Sequence, residues 1–201
     1  MCYNNLVPRI VDHALRRREL AEALWRVVRR DGVHEVSVRT VAEEAGTSPG
    51  ALRHYFASQD ELLGFALRAV VDRAAARFAG LSATLTGAPL GVRVLEDLLP
   101  LDAERTEEVQ VYLALVARSA ADPALRRVRD EAEALVAAAV DEAVRLVVGD
   151  GPELPAASRS TYHLVDGLAL HGATWPERYP PAHLREVLHA HLAVLARGAE
   201  R

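Results

Sequence analysis

The sequence predicts an all-α protein, and three observations lead to this fold class. Half of the 201 residues are hydrophobic, and the most frequent residue types, such as Ala, Leu, Arg and Glu, favour helices over strands. Apolar residues recur at intervals of three and four along most of the chain, which is the helical period. Glycine and proline occur mainly in short clusters between these periodic segments, where helices end.

The clusters divide the chain into about nine predicted helices. Residues 1–8 are expected to form an irregular arm, and the rest to form an N-terminal domain at 9–57, a connector helix at 58–80 and a helical C-terminal domain at 81–201. The N-terminal domain holds three helices and includes a helix-turn-helix. The predicted helices cover about 9–31, 38–45, 49–55, 59–80, 90–100, 102–121, 123–148, 157–174 and 182–197.

The segment from about residue 37 to residue 56 has the pattern of a helix-turn-helix. Apolar residues at 38, 41, 42 and 45 lie on one face of a short helix. Gly46 follows where a chain leaving a helix often takes a positive φ. Ser48 is suited to cap the next helix and Pro49 to begin it, because the first helical position needs no N–H. The second helix of such a unit fits the major groove, so the sequence predicts a DNA-binding protein.

The distribution of charge is compatible with DNA binding, although the formal net charge is −4. Residues 1–56 hold nine arginines and seven acidic residues, whereas the remainder holds fifteen arginines and twenty-one acidic residues. A mildly basic domain attached to an acidic one attracts DNA at one end of the molecule. Ordinary scatter in composition would give the same asymmetry, so charge supports the prediction without carrying it.

Several other classes of protein are disfavoured. Cys2 is the only cysteine, so no intrachain disulfide can form, which agrees with a reducing cytoplasm. No apolar run approaches the ~20 residues that span a bilayer, and the N-terminus lacks a signal-peptide core. The sequence has no His-Glu-x-x-His, phosphate loop or Gly-x-Ser-x-Gly motif. We therefore expect a soluble cytoplasmic protein with no cofactor, no metal site, no membrane partner and no enzymatic activity.

Two stretches resemble a known family. The first, from Arg16 to Val71, contains Thr-Val-Ala-Glu-Glu-Ala-Gly-Thr-Ser-Pro-Gly-Ala-Leu, the aromatic pair Tyr55-Phe56 and Glu61-Leu62-Leu63. It resembles the N-terminal domain of the TetR family of bacterial transcription regulators. Residues 101–181 resemble, more weakly, the C-terminal domain of the choline-responsive regulators of betaine synthesis. The matching phrases there are Leu-Asp-Ala-Glu-Arg and Val-Asp-Gly-Leu-Ala-Leu-His-Gly.

The resemblance implies a dimeric, sequence-specific regulator of transcription. Its expected partners are a pseudo-palindromic operator in double-stranded DNA, a second copy of the chain and a small-molecule effector of unknown identity. A repressor that the effector releases from its operator is the leading hypothesis. A DNA-binding regulator without a small-molecule switch and a transcriptional activator remain alternatives.

Candidate DNA-contacting residues lie in the second and third predicted helices. Arg53 can bind a guanine through two hydrogen bonds, whereas Gly50 and Ala51 allow close approach to the bases. The resemblance implies phosphate contacts at Thr40 and through the hydroxyl of Tyr55. Two alternatives stay open, since Arg53 could be merely solvated and His54 could pack inside the domain. The candidates are Arg39, Thr40, Ser48, Pro49, Gly50, Ala51, Arg53, His54 and Tyr55.

The last two helices are expected to form a four-helix bundle with those of a second subunit. The alternative is that both faces pack inside one subunit. The residues at helical spacing on these faces are Leu164, Leu168, Gly172 and Trp175 in the first helix and Val187, Leu188, His191, Leu192 and Leu195 in the second.

The middle helices are expected to enclose an effector pocket. Such a pocket is mostly apolar with a few placed polar groups. An aromatic pair with a carboxylate could hold a cationic ligand, although each candidate could instead be a core or interface residue. The candidates are Leu98, Tyr112, Val116, Tyr162, His163 and Asp166.

Overall fold

The computed structural model describes residues 13–56 and 58–199. These residues contain no β-strand, and the predicted all-α class is confirmed. The predicted arm at 1–8 and residues 9–12 of the first predicted helix lie outside the described residues. A short 3-10 helix (Val33–Glu35) follows the first helix and was not predicted. The helices are α1 (His13–Asp31), α2 (Val38–Glu44), α3 (Pro49–Arg53), α4 (Gln59–Ser82), α5 (Gly87–Asp97), α6 (Ala103–Ser119), α7 (Pro123–Val148), α8 (Leu154–Thr174) and α9 (Pro181–Ala199).

The observed helix ends follow the predicted ones closely, with one clear difference at α5. This helix begins at Gly87 and ends at Asp97 rather than covering 90–100. Thr86 is the N-cap and Pro89 lies in the first turn, so the helix starts three residues earlier than predicted. A proline is tolerated there, because backbone N–H groups in the first turn of a helix have no acceptor within the helix, and proline lacks this group.

Helix-terminating and capping residues define the turns of the N-terminal unit. Gly32 ends α1 with φ of 88° and Gly46 ends α2 with φ of 61°, conformations that glycine adopts without steric cost. The Oγ of Ser48 accepts a hydrogen bond from the Ala51 N–H at 3.0 Å, and Pro49 begins α3. The predicted cap, first helical residue and glycine turn of the helix-turn-helix are thus confirmed.

The chain forms two compact units, one ending at Gln59 and the other beginning at Asp60. In the first, α1 packs against the 3-10 helix and α2, and α2 packs against α3. The core of this unit is small, and it relies on residues that are almost fully buried. These include Leu20, Leu24, Trp25, Val28, Val36, Val41, Leu52 and Phe56.

The second unit is a bundle in which α7 is the central helix. It packs against α5, α6, α8 and α9. The closest approach is at Gly91 of α5, where an added Cβ would overlap the carbonyl oxygen of Ala143. The glycine therefore lets α5 lie directly on α7. The shared core includes Leu95, Leu99, Val140, Val144, Leu184 and Leu188.

The structure corrects the predicted dimer interface on α8 and α9 at four of its nine residues. Leu168, Leu188 and Leu192 are buried in the core of their own subunit. A Cβ added at Gly172 would lie 2.6 Å from Leu184 Cδ1, so this glycine allows α8 to pack closely on α9. These four residues hold the subunit together and are not available to a second copy.

The other five predicted interface residues are mostly engaged within the subunit as well. Leu164, Val187 and Leu195 pack, partly buried, against the same core. His191 Nε2 lies 2.9 Å from Thr161 Oγ1 in a hydrogen bond between α9 and α8. Trp175 alone among the nine is exposed, at 52%. Helical periodicity marks an apolar face without telling whether the same chain or another copy covers it, and for these five residues the interface stays a prediction.

No helix between residues 13 and 199 combines the length and the hydrophobicity that crossing a bilayer would require.

Candidate nucleic-acid interface and ligand cavity

The helix α3 has a buried side and an exposed side. Leu52 and Phe56 are buried and fix the helix in the N-terminal unit. The predicted DNA-contacting residues of this segment lie toward solvent. Ser48, Pro49, Gly50, Arg53 and His54 are exposed, whereas Ala51 and Tyr55 are half-buried.

The fold does not require glycine at position 50. A Cβ added there would meet only Ser48 Oγ, at 3.8 Å, and the residue does not take a positive φ. The fold would therefore accept a side chain at this position. A bare backbone on the exposed side of a helix is what close approach by another molecule requires.

The arginines of the N-terminal unit differ in their availability. Arg26 Nε and Arg30 Nη1 each lie 2.6 Å from a carboxylate oxygen of Glu44, and these hydrogen bonds hold the pKa of Glu44 below its usual value. They tie α1 to the end of α2. Arg39 and Arg53, by contrast, are exposed, and within residues 13–56 and 58–199 neither forms an ion pair. Those two guanidinium groups are free to meet an anion.

Thr40 has a local role that the sequence did not reveal. Its backbone N–H donates to Ser37 Oγ at 3.1 Å, and its hydroxyl donates to the Glu35 carbonyl oxygen at 2.7 Å. With Ser37 it forms a reciprocal capping box at the start of α2. Both of its donors are engaged in this structure, so a phosphate contact at Thr40 would require its hydroxyl to turn.

Gln59 is the first residue of α4. Its side-chain amide donates to the Val36 carbonyl oxygen at 2.7 Å. The residue therefore fastens the loop before α2 to the start of α4.

A cavity of about 310 Å³ lies in the second unit. Residues of α4, α6, α7 and α8, together with Asp97 and Leu98 at the end of α5, line it. Most of the wall is aliphatic, as is usual for a site that binds a small molecule. Representative apolar residues are Val71, Phe78, Leu113, Val136, Val165 and Leu170.

Two carboxylates of the cavity wall, those of Asp97 and Glu108, are neutralised by Arg105 in the wall and by Arg77 behind it. Arg77 of α4 places Nε 2.7 Å from Asp97 Oδ2, and its two terminal nitrogens lie 3.0 and 2.8 Å from the Glu108 carboxylate oxygens. Arg105 Nη1 approaches the other Asp97 oxygen at 3.2 Å. Two arginines thus balance two buried carboxylates, and they join α4 to α5 and α6.

A second group of polar residues in the wall combines two carboxylates with two phenols. The hydroxyl of Tyr162 donates to Glu133 Oε1 at 3.4 Å. Loss of water at the cavity raises the pKa of Asp166, and the charge of Glu133 raises it further. Burial and the negative charges of Asp166 and Glu133 raise the pKa of Tyr112 to about 12. The four residues share one negatively charged part of the wall.

Four of the six predicted pocket residues line this cavity, namely Leu98, Tyr112, Tyr162 and Asp166. Val116 does not line it, and His163 lies instead in a groove on the outer side of α7 and α8 with Asp130, Asp141 and Arg159. His163 follows Tyr162 by one residue, and neighbours in a helix point about 100° apart. Tyr162 lines both the cavity and this groove, whereas His163 lines the groove and not the cavity.

Two family models match this chain. A model for the C-terminal domain of BetI-type transcriptional repressors matches residues 91–197, more than half of the chain. A model for bacterial regulatory proteins of the tetR family matches residues 20–64, which include the helix-turn-helix. The chain belongs to the TetR family. It is a DNA-binding transcriptional regulator of the repressor type and not an enzyme.

Individual relatives agree with this assignment. The chain is 33% identical over 197 residues to the HTH-type transcriptional regulator PksA of Bacillus subtilis, with 92% of each chain covered. A transcriptional regulator from Saccharomonospora viridis, solved in complex with choline, superposes with a TM-score of 0.78 at 25% identity, covering 90% of this chain and 96% of that one. The multidrug binding protein EbrR complexed with ethidium has a TM-score of 0.58 at 31% identity, covering 88% and 98%.

Within this TetR-family chain, sequence reasoning missed Glu133 of the cavity wall. Glu133 lies on α7 in a stretch with many other acidic residues, Asp130 and Glu131 among them. Nothing in its local pattern distinguishes it, since its position opposite Tyr162 depends on how α7 packs against α8. Arg77 was missed for a similar reason, because its partners lie 20 and 31 residues farther along the chain.

Proposed function

We propose that this TetR-family protein is a homodimeric repressor that binds a pseudo-palindromic operator and is released from it by a small-molecule effector. The observation that carries the DNA-binding part is the exposed side of α3. Arg53 stands there without a partner in the described residues, beside Gly50, whose missing side chain the fold does not require. A guanidinium can bind guanine through two hydrogen bonds, and a bare backbone allows the duplex to approach.

The proposed DNA contacts divide by chemistry. Arg53 and His54 would read base edges, with Ala51 available to a thymine methyl group. Arg39 and the Tyr55 hydroxyl would bind phosphates and fix the register of the helix on the duplex. Ser48 and Pro49 would act indirectly, because they cap and begin α3.

A dimer is proposed because one helix-turn-helix contacts too little DNA to be selective. Four of the nine predicted residues are buried inside the subunit, and the surface that remains is the outer side of α8 and α9. Val194 of α9 is 59% exposed. Gly167 has open space where a Cβ would be, so a helix from a second copy could approach closely there.

The cavity supports control by a ligand. Its volume of about 310 Å³ lies at the lower end of the range for sites that hold drug-sized molecules, roughly 300–1,000 Å³. Two solved relatives carry small organic cations, choline in one and ethidium in the other. An effector here would release DNA only if it binds the state that does not hold DNA more tightly.

Three measurements on the purified full-length protein test the proposal. Footprinting against DNA upstream of its own gene should give a protected site with two similar half-sites, and sedimentation should give a dimer. An effector found by thermal-shift screening should then lower operator affinity. A monomer in sedimentation would contradict the dimer. A lack of sequence preference at controlled salt would contradict operator recognition. Equal operator affinity with and without saturating effector would contradict release by a ligand. Increased transcription from the bound site, measured by transcription in vitro with and without the protein, would favour an activator instead.

A further inference from the structure

We propose that the effector is a drug-sized lipophilic organic cation whose charge is held by Glu133 and Asp166, and not a compact ammonium ion such as choline. This inference rests on the proposed function, because it names the chemical class of ligand for the cavity. It is carried by the placement of charge in the cavity wall and by the extent of its apolar surface.

The acidic residues of the cavity wall differ in whether an arginine neutralises them. Asp97 and Glu108 also face the cavity, but Arg77 and Arg105 neutralise them at hydrogen-bonding distance. Glu133 and Asp166 have no cationic partner of that kind within residues 13–56 and 58–199. Both belong to the wall of the same cavity. Both side chains are exposed at the open side of the cavity wall, and in the described part of the chain neither forms an ion pair.

Arg129 interacts with Glu133 through its charge, but it does not form an ion pair with that carboxylate. Arg129 lies on α7 one turn before Glu133, but its Nε and Nη2 bind Asp130 at 2.9 and 2.6 Å. Its Nη1 donates to the hydroxyl of Ser119 at 3.0 Å. The guanidinium is thus directed to other partners, and the two carboxylates retain an excess of negative charge.

The lack of an ion-pair partner disfavours the charged form of Asp166. Its pKa is raised first by loss of water and then by the charge of Glu133, and the nearby His163 only partly opposes this. A cation placed between the two carboxylates would remove the repulsion. An anionic ligand would increase it, and a neutral one would leave it unchanged.

The aromatic residues of the cavity wall also favour a positively charged ligand. Tyr112 and Tyr162 line the cavity next to the carboxylates, and Tyr162 is held there by its hydrogen bond to Glu133. The face of a tyrosine ring attracts a cation. Two carboxylates and two phenol rings therefore recognise an organic ammonium or a delocalised aromatic cation.

The remainder of the wall determines the size of the ligand. Aliphatic and aromatic residues from four helices surround the rest of the cavity, among them Val71, Phe78, Leu113 and Val136. A compact ammonium ion would contact the carboxylates and leave most of this apolar surface unfilled. A larger body with rings would bury it, and burial of apolar surface is the main source of affinity in such sites.

Equilibrium dialysis at pH 7.5 with the full-length protein tests the inference. The probes are crystal violet, its neutral leuco form, which has the same three rings, and choline. We expect crystal violet to bind at least about tenfold more tightly than either of the others. Equal binding of crystal violet and the leuco form, tighter binding of choline, or no binding of crystal violet would each overturn the proposal.

Variants locate the charge. In Glu133→Gln/Asp166→Asn, crystal violet should bind about tenfold or more weakly while the leuco form binds as before, which also shows that the cavity is intact. Glu131→Gln is the matched control, since Glu131 is exposed on the same helix and should leave both affinities unchanged. Undiminished crystal violet binding by the double variant would overturn the assignment.

Dialysis and operator binding answer separate questions. If the protein selects no operator, the proposed function fails, yet the dialysis still decides whether the cavity holds a lipophilic cation. If it selects an operator but the double variant keeps full affinity for crystal violet, the ligand class fails alone.

Discussion

Leu52 and Arg53 are adjacent in α3, and the fold gives them opposite environments. Leu52 is almost completely buried and holds the helix against the core, whereas Arg53 is exposed and unpaired in the described part of the chain. A change at Arg53 should therefore affect recognition without affecting folding. This separation makes DNA contacts testable one residue at a time.

Arg53→Ala should reduce sequence preference more than it reduces nonspecific binding. The loss of a two-bond contact to guanine lowers discrimination by about 1–3 kcal/mol, while the other phosphate contacts remain. Fluorescence anisotropy with operator and scrambled DNA at matched salt measures both affinities. Arg127→Ala, at an exposed position of α7, removes one positive charge as a control and should preserve selectivity. Unchanged selectivity in Arg53→Ala would reject the base-reading role.

Gly50→Ala should change stability and DNA binding in opposite directions. The position has open space and does not have a positive φ, so alanine should stabilise the fold by about 0.4–1 kcal/mol through the unfolded state. The new methyl group would stand between α3 and the bases, and operator affinity should fall by about tenfold. Thermal melting and gel-shift titration measure the two effects.

Gly80→Ala provides the comparison for that prediction. Gly80 is also helical, and a Cβ there would meet nothing within 4 Å. It should bring a similar gain in melting temperature and leave operator affinity unchanged. If both variants bind the operator like the wild type, close approach of DNA at Gly50 is not part of recognition.

The pairing of α8 with α9 depends on a polar contact inside an apolar seam. Thr161 is fully buried and its hydroxyl lies 2.9 Å from His191 Nε2. Burial lowers the pKa of His191, because the neutral imidazole is favoured where water is scarce. Protonation of this histidine should therefore oppose the packing of the two helices.

The resulting pH dependence has a definite sign. A histidine whose pKa is lower in the folded protein contributes its full stability above the ordinary value, about 6.5. That contribution is lost as pH falls below this value toward the lowered pKa. The melting temperature should therefore decrease from pH 7.5 to pH 5.5, and His191→Gln should show a shallower decrease. His54→Gln, at an exposed position, should keep the wild-type slope, and equal slopes in all three proteins would contradict the assignment.

Local chemistry explains why the helix ends could be predicted. Ser48, Pro49 and Gly46 each satisfy a requirement of the backbone within a few residues, so their roles are readable without the tertiary structure. The faces of α8 and α9 are different. Leu188 and Leu192 have the spacing of a buried stripe, and only the arrangement of the other helices shows that Leu184, Leu188 and their neighbours are covered within the subunit.

The ligand cavity was predictable to the same limited extent. Tyr112, Tyr162 and Asp166 are unusual in an otherwise aliphatic region and were recognised for that reason. Glu133 is one acidic residue among several on α7, and its importance comes from its place opposite Tyr162. Residue type can suggest a member of a site, but the set that acts together depends on how the helices pack.

At the scale of the whole molecule, the cavity and the long helix α4 are linked by one ion-pair network. Arg77 lies on α4, and its partners Asp97 and Glu108 lie on α5 and α6 and face the cavity. The same helix begins where the N-terminal unit ends. A ligand that moves α5 or α6 would therefore act on α4 through this arginine, which is a physical route for the proposed release of DNA.

Replacing Arg77 should uncouple ligand binding from DNA release. Arg77→Met alone would leave two buried carboxylates poorly compensated and destabilise the protein by about 3–5 kcal/mol. The combined variant Arg77→Met/Glu108→Gln avoids most of that cost, because Asp97 still has Arg105. We expect it to bind the operator and the effector as the wild type does. The effector-induced change in operator affinity should shrink, from the 5- to 150-fold range typical of allosteric proteins (about 1–3 kcal/mol) toward no change.

The comparison that decides this prediction uses Arg68→Met, because Arg68 is exposed on the same helix and is not part of the network. Operator titrations with and without saturating effector give the coupling for each protein. Arg68→Met should retain the wild-type coupling. Because coupling is reciprocal, the combined variant should also bind the effector equally well with and without operator DNA. Full coupling in that variant would show that the signal reaches α4 by contacts other than Arg77.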